Sequence, residues 1–451
     1  MKRHEPFCRS CFLLTIIVTL TLHASIVLGD TWNVPGDYLT IQGAVDAASD
    51  GDTIVIASGT YNEYDITIDK SLTIQGAGMG ITIVEGQYMG RVFNIGNYTV
   101  EMSDMTIQNG KATTDGGGIL QGGSLTLTNC VISGNEAGRF GGGIGFSGVL
   151  TMTNCTVSGN KARFGGALGL GFCGGANVTM TNCTISGNTA DSLGGGIYTL
   201  CNYFNLTNCT ISENIGGSGG GIHNQIGGSL DLTGCTINGN TAPSGEGGGI
   251  YCRGDLTLTN CTISGNAATH GREGFGGGIY TTGANVIFTN CTVTGNHAHT
   301  NAGGIFSGGP FTLIGTIVYG NTITSYNNIY GGGEPYDALE SIIDEPEGSA
   351  PNPRLGQLRN NGGPTKTHAL MYGSPAIDAC MNECTVDTDQ RGLPRPVDGD
   401  NDGIADCDIG AYERQFGGGG GSPGNFGIVE EALSAIDDDD DSPCFIMTAA
   451  H

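Results

Sequence analysis

The chain has 451 residues, 82 of them glycine, with 13% charged residues and a formal net charge of −26. With 43 Asp and Glu against 17 Lys and Arg, there is little to neutralise phosphates, which argues against a nucleic-acid partner. Glycine abundance without proline enrichment argues against a collagen-like helix, and regularly placed apolar residues argue against a disordered tract.

In chain order, residues 1–29 read as a secretory signal. Lys2, Arg3 and His4 form a charged start, 12–22 (FLLTIIVTLTL) an apolar core, and Val27 and Gly29 suit cleavage before Asp30. An uncleaved membrane anchor is the rival reading, since apolar character continues to Leu28; no lipobox-like Cys follows the core. No stretch after residue 30 is long and apolar enough to span a bilayer. Residues 41–48 (IQGAVDAA) pattern as a short amphipathic helix capping an open apolar end, and 52–56, 66–68 and 72–74 pattern as strands.

From residue 124 one phrase recurs, T-N-C-T-[IV]-S-G-N, followed by a variable loop and G-G-G-I. Cys130, Cys155, Cys183, Cys209, Cys235, Cys261 and Cys291 sit in it at steps of 25, 28, 26, 26, 26 and 30. Such a period means stacked repeats. Leu125 and Leu127 alternate with Thr126 and Thr128, so one strand buries leucines. A bend at Asn129 starts a second strand burying Cys130 and Ile132, and Ile144 opens a third after the glycines. Three strands per coil and about eleven coils make an all-β parallel β-helix, a rod of roughly 50 Å at about 4.8 Å per coil.

In-register cysteines have parallel side-chain vectors that fit disulfide geometry poorly, so the column reads as buried small hydrophobes. The Asn before each Cys (Asn129, Asn154, Asn182, Asn208, Asn260, Asn290) is expected to form an amide ladder between coils. N-C-T is also a glycosylation acceptor pattern, but that accounts for only some of these Asn. Met105 and Gly315 are expected at the Cys position one coil before and one coil after the run.

The expected organisation is a signal over 1–29, a β-helix over 30–330, a C-terminal cap over 331–415, and a Gly-rich linker with an acidic tail over 416–451. Within 398–406, Asp398, Asp400 and Asp402 alternate, Gly403 permits a turn, Ile404 offers a carbonyl and Asp406 falls at position nine. This is the first part of an EF-hand-type Ca²⁺ loop, with Asp408 standing in for the missing Glu and the alternative being an empty acidic turn. Cys384 and Cys407 are candidates for a disulfide, with Cys380 as alternative partner, and Cys173 and Cys201 are a second candidate pair.

The stretch from Val34 to Tyr61 resembles the first coil and cap of pectate-lyase-like right-handed β-helix proteins. The G-G-G-I and S-G-N groups are similar to polymorphic outer-membrane-protein repeats, with Ile or Val in place of that family's Phe. L-x-x-L-x-x-N-G-G-P-T-x-T-H-A-L from Leu355, G-S-P-A-I-D-A at Gly373, D-x-R-G at Asp389, R-P at Arg395 and D-I-G-A-Y-E at Asp408 resemble the closing segment of choice-of-anchor Q bacterial surface proteins. The final C-F-I-M-T-A-A is similar to a tail motif of exported bacterial proteins. These resemblances imply a pectin-lyase-like fold, export and display at the cell surface.

Two functional classes remain open. A secreted or surface scaffold, structural or adhesive, would bind glycan or protein along its lateral faces; the mature chain is expected to be a monomer. A polysaccharide lyase or hydrolase is the alternative, and for a lyase the pectate-lyase-like resemblance implies carboxylates holding Ca²⁺ and an Arg base on one groove-forming face. Asp115, Arg139, Arg163 and Asp191 precede successive Gly groups, although Arg139-Phe140 and Arg163-Phe164 also read as a cation–aromatic ladder. His223, His270, His297, His299 and His368 share no column position, and no catalytic residue is assigned.

Overall fold

The computed structural model describes residues 29–171, 177–200, 203–225, 227–323, 329–331, 337–344, 348–380, 384 and 386–415. The expected signal, the tail from 416 onward, Cys173 and Cys201 lie outside these residues.

One coil explains the rest. Val149–Thr153 buries Leu150 and Met152, and Asn154 then adopts φ 54° and turns the chain. Thr156–Ser158 continues in the same sheet, Gly159 turns it again at φ 62°, and Lys161–Phe164 leads into Gly165, Gly166 and Ala167 before Leu168–Leu170. Among the described residues the coil-to-coil pairings are parallel, as with Leu150↔Val178, Val157↔Ile185 and Leu168↔Ile197, and the register shifts between Ala162 and Phe164, where Phe164 meets Leu193. The first two strands of each coil form one long sheet, and the strand after the glycines forms a second sheet of 11 strands. Between them run two short strips of four strands each. The result is a β-solenoid of about eleven turns, and its interior is columns of like residues stacked on like.

The glycines before each second-sheet strand are there because backbones meet. A Cβ on Gly142 would collide with the carbonyls of Lys161 and Gly166 in the next coil. At the other end of the chain, Ile41–Ala47 caps the first coil, with Thr40 accepting the N–H of Gly43 and with Ile41, Ala44 and Val45 buried.

The amide ladder runs along a different column from the expected one. It is built from the Asn of S-G-N: Asn135, Asn160, Asn188, Asn214, Asn240, Asn266, Asn296 and Asn321, all buried. Asn188 donates both its backbone N–H and its Nδ2 to Oδ1 of Asn214, at 3.0 and 2.9 Å, and also reaches the carbonyl of Val157. The Asn before each Cys sits at φ 50–54° and serves as the bend. Among the described residues its side chains link Asn129 to Asp104 at 3.0 Å and Asn154 to Asn129 and Asn182 to Asn154 at 3.3 Å, while Asn260 bonds the carbonyl of Thr388. Register also puts Thr316 at the Cys position, because Thr292 pairs with Ile317; Gly315 occupies the bend at φ 54°.

Solenoid strands continue to Ile342–Ile343, and the segment from 348 then lies along the side of the later coils. There the outward Thr column of the long sheet is buried. Gln390 donates to Thr236 at 2.9 Å and accepts from Thr262 at 2.6 Å, and Thr292 accepts the N–H of Ala411. In the last two coils Ile317 and Ile342 replace Thr and pack with Leu370, Ala376, Cys407 and Ile409 in a second apolar cluster. Leu355–Arg359 and Thr367–Leu370 form the segment's antiparallel hairpin. Among the described residues no helix is long and apolar enough to cross a membrane.

Candidate functional site

Two places carry unusual chemistry: an acidic loop in the C-terminal segment, and a stripe of aromatic rings on the second sheet.

The loop is organised by its own carboxylates. Asp398 accepts the N–H groups of Asn401, Asp402 and Gly403 at 2.6, 3.2 and 3.0 Å, and Asp402 accepts that of Ile404 at 2.8 Å. A residue from well upstream completes the group. Asp378 accepts the N–H groups of Gly399 and Asp400, both at 2.9 Å, which draws its carboxylate against theirs. Carboxylate oxygens of Asp378, Asp398 and Asp400 lie within 4.8 Å of one another. Burial first, and then the charges of Asp400 and Asp398, raise the Asp378 carboxyl above its ordinary value.

Of the six residues expected to hold Ca²⁺, the structure brings together Asp398 and Asp400. Asp402 and Asp406 fall outside the cluster, and Ile404 is an exposed loop residue. Asp408 is turned inward, fully buried, accepting the N–H groups of Asp378 and Arg414. Burial and the Glu413 charge push its carboxyl up to about 8. It belongs to an interior network with Arg395 and Glu413, 3.6 Å apart and without solvent exposure. The three clustered carboxylates are hard oxygen donors of the kind Ca²⁺ takes. Asp378 was missed because it lies outside the local spacing motif; only its place in G-S-P-A-I-D-A marked that stretch.

Beside this loop Cys384 and Cys407 are joined in a disulfide with Cα atoms 5.7 Å apart. Cys380 pairs with Cys407 through its backbone N–H, and its thiol donates to Glu340 at 2.9 Å.

The stripe arises from the outward middle residue of each second-sheet strand. Tyr198, His223, Tyr251, Tyr280, Phe306 and Tyr330 stack with successive ring centroids 5.6, 4.2, 5.0, 5.0 and 4.9 Å apart. One coil before Tyr198 the same position is Gly169, and two coils before it is Gly145. Phe140 and Phe164 lean into that space, 5.2 Å apart, and meet Tyr198 at 5.8 and 5.2 Å. Arg139 and Arg163 lie over these two phenyl rings at 5.0 and 5.1 Å, the cation–aromatic ladder that the sequence suggested. A cavity of about 90 Å³ opens where the stripe begins, lined by Asp115, Leu120, Phe140, Phe146, Ser147 and Gly169.

The catalytic potential of these groups is narrow. Asp115 is held by Arg139 through Nε and Nη2 at 2.9 and 2.8 Å, and Asp191 faces Lys161 at 3.5 Å. His223 is buried between Tyr198 and Tyr251, its ring nitrogens turned to the Ser218 carbonyl and the Gln225 side chain. Burial lowers it to about 4, so it is neutral at pH 7 and packs as an aromatic ring. Arg163 is exposed and has no carboxylate within ion-pair distance among the described residues.

The right-handed β-helix region family model matches residues 26–194 and 146–328, and the chain belongs to that family. No curated protein matches it. Among solved structures it is similar to the pectate lyase Pel9A, at 14% identity and TM-score 0.48, over 87% of this chain and 98% of that one. It is also similar to the PL6 family alginate lyase AlyGC, at 12% identity and TM-score 0.35, over 75% and 55% of the two chains. A mannuronic acid-specific family 6 polysaccharide lyase from human gut microbiota aligns at 13% identity and TM-score 0.26, over 63% and 86%.

Proposed function

We propose that the protein is an exported β-helix, displayed at a bacterial cell surface, that binds polysaccharide along its second sheet. The observation that carries this is the aromatic stripe. Eight rings from Phe140 to Tyr330 run continuously along the rod, six on the in-register second sheet and two, Phe140 and Phe164, leaning over its glycines. An extended polymer of repeating units suits an extended site of repeating contacts. Ring faces are occupied by one another and Tyr198, His223 and Tyr251 are buried, so the sugar meets ring edges and hydroxyls chiefly from half-buried Tyr280 and Phe306 to Tyr330, which is 40% exposed. Export is supported by the apolar N-terminal stretch, the resemblance of 355–413 to choice-of-anchor Q segments, and a disulfide in that segment.

The test is affinity electrophoresis against neutral and acidic polysaccharides, with Tyr280→Ala and Tyr330→Ala. At least one polymer should retard the protein, and the double variant should lose about tenfold in affinity, roughly the 1–3 kcal/mol of two aromatic contacts, with its melting curve kept. Retardation by none of them ends the proposal.

A lyase is the second reading, favoured by one observation: Arg163 stands exposed one coil from the Asp115 cavity, as a base would need. Release of unsaturated ends from a polymer, abolished by Arg163→Ala, would establish it.

In the C-terminal segment, Asp378, Asp398 and Asp400 would hold a structural Ca²⁺, which supplies positive charge among three crowded carboxylates. Calorimetry with Ca²⁺ should show binding that Asp378→Asn weakens more than Asp406→Asn; equal effects would return the ligands to the 398–406 loop alone.

A further inference from the structure

The seven repeat cysteines are the feature that polysaccharide binding leaves unused. Their thiols are at most 1% exposed and lie one per coil in unbroken succession. The thiols reach backbone carbonyls, as Cys130 does at Thr128 in its own coil and Met102 in the one before, 3.4 and 3.7 Å away, and Cys261 at Thr259 and Leu232, 3.3 and 3.4 Å away. The Sγ of Cys235 also meets the N–H of Cys209 at 3.4 Å, and the Sγ of Cys261 that of Cys235 at 3.4 Å. Met105 precedes Cys130 in the same register, so sulfur continues for eight coils before Thr316 ends the column.

We propose that this column is a binding site for soft monovalent metal ions of the copper(I) and silver(I) class, one ion between each pair of neighbouring thiolates. The spacing carries the argument. Parallel strands set neighbouring cysteines about 4.8 Å apart. A metal–thiolate bond is about 2.3 Å, so two bonds in line span about 4.6 Å. An ion with two sulfurs in line therefore fits the interval that the sheet imposes, whereas an ion demanding four ligands finds only two. The same parallel vectors that oppose a disulfide point both sulfurs into the column. Soft thiolate donors select such ions over hard ones.

Charge balances as well. Each entering ion displaces one thiol proton and takes its place between the two sulfurs, so the interior gains no net charge. Burial holds the Cys235 and Cys261 thiols well above their ordinary value, so a bare thiolate is disfavoured there and a neutral metal–thiolate unit is not. Because the thiols are enclosed, loading belongs to folding, when the coils close over one another.

Full-length reduced protein refolded with silver(I) alone, then stripped of excess ion on a desalting column, tests this by native mass spectrometry. Seven sulfurs enclose six intervals, and up to six silver ions per chain should remain, with about one proton released per ion. Cys209→Val, which suits a strand, removes two of the six intervals and should retain two ions fewer; Cys380→Ala, outside the column, should retain the column's full complement. Should Cys209→Val fail to fold, Cys291→Val removes one interval at the end of the run and serves the same comparison. Wild-type protein that retains no silver, or a column variant that retains as much as wild type, overturns the proposal. Neither result bears on polysaccharide binding, which uses the outer face of the second sheet, whereas the cysteine column lines the inner face of the long one.

Discussion

In the coils, Asn188 gives two N–H bonds to Asn214, which gives two to Asn240, and the pattern repeats to Asn321. In the C-terminal segment, Gln390, Arg395, Asp408 and Glu413 are also buried, yet each has a set of partners found nowhere else in the chain. Both regions bury polar groups and satisfy them. The coils do so by repetition, so each rung adds a similar increment and depends only on its neighbours. The segment does so once, through a network whose members must all be in place together. Damage to the first should therefore be local and graded, and damage to the second should detach a whole unit.

The largest effect should come from the ladder. Asn240→Leu removes the acceptor of two bonds from Asn214 and the donor to the Ile211 carbonyl, at a cost of about 3–5 kcal/mol. Chemical denaturation should show it, with Asn154→Ala at the partly exposed bend costing about 1 kcal/mol. A reversed ranking would return the ladder to the Asn-Cys position.

Arg395→Met leaves Glu413 buried without its cation, a loss of about 3–5 kcal/mol confined to the segment. Limited proteolysis should then cut within 348–415 while the coils stay protected. Simultaneous digestion of both would show that the two regions are one cooperative unit.

Protonation of Asp408 should strengthen the docking of this segment. The folded Asp408 carboxyl is pushed to about 8 from 3.8, so the folded state binds the extra proton between those values. Its contribution to docking is full below the unfolded value and is lost as pH rises towards 8. Protease resistance of 348–415 should fall from pH 5 to pH 8, and Asp408→Asn should flatten that slope.

Thr262→Val removes one hydroxyl bond to Gln390 and should cost the interface about 1 kcal/mol. The smallest effect is expected at Lys111, whose exposed pair with Glu136 at 2.8 Å on the short strip should leave melting unchanged on Lys111→Ala.

How far each region was legible follows from the same contrast. The leucine and cysteine columns, the loop glycines and the cap at 41–47 were readable, because a fixed period says which residue stacks on which. The two Asn of each repeat share that period, so the period alone did not distinguish them; the structure did, placing the Asn before each Cys at the φ 50–54° bend and the Asn of S-G-N in the buried ladder. Asp378 and the inward turn of Asp408 depend on contacts between distant parts of an aperiodic segment, for which spacing carries no information.

The sequence by itself determined that this is a stacked-coil rod, how its interior columns align, and that its cysteines line up inside. Repetition makes every neighbour a fixed number of residues away, so one coil read correctly is all of them. Only the tertiary structure decided which amides form the ladder, which carboxylates gather, and that residues 348–415 lie along the side of the later coils. Those outcomes rest on pairings such as Thr262 with Gln390, where burial and shape choose partners that no period connects.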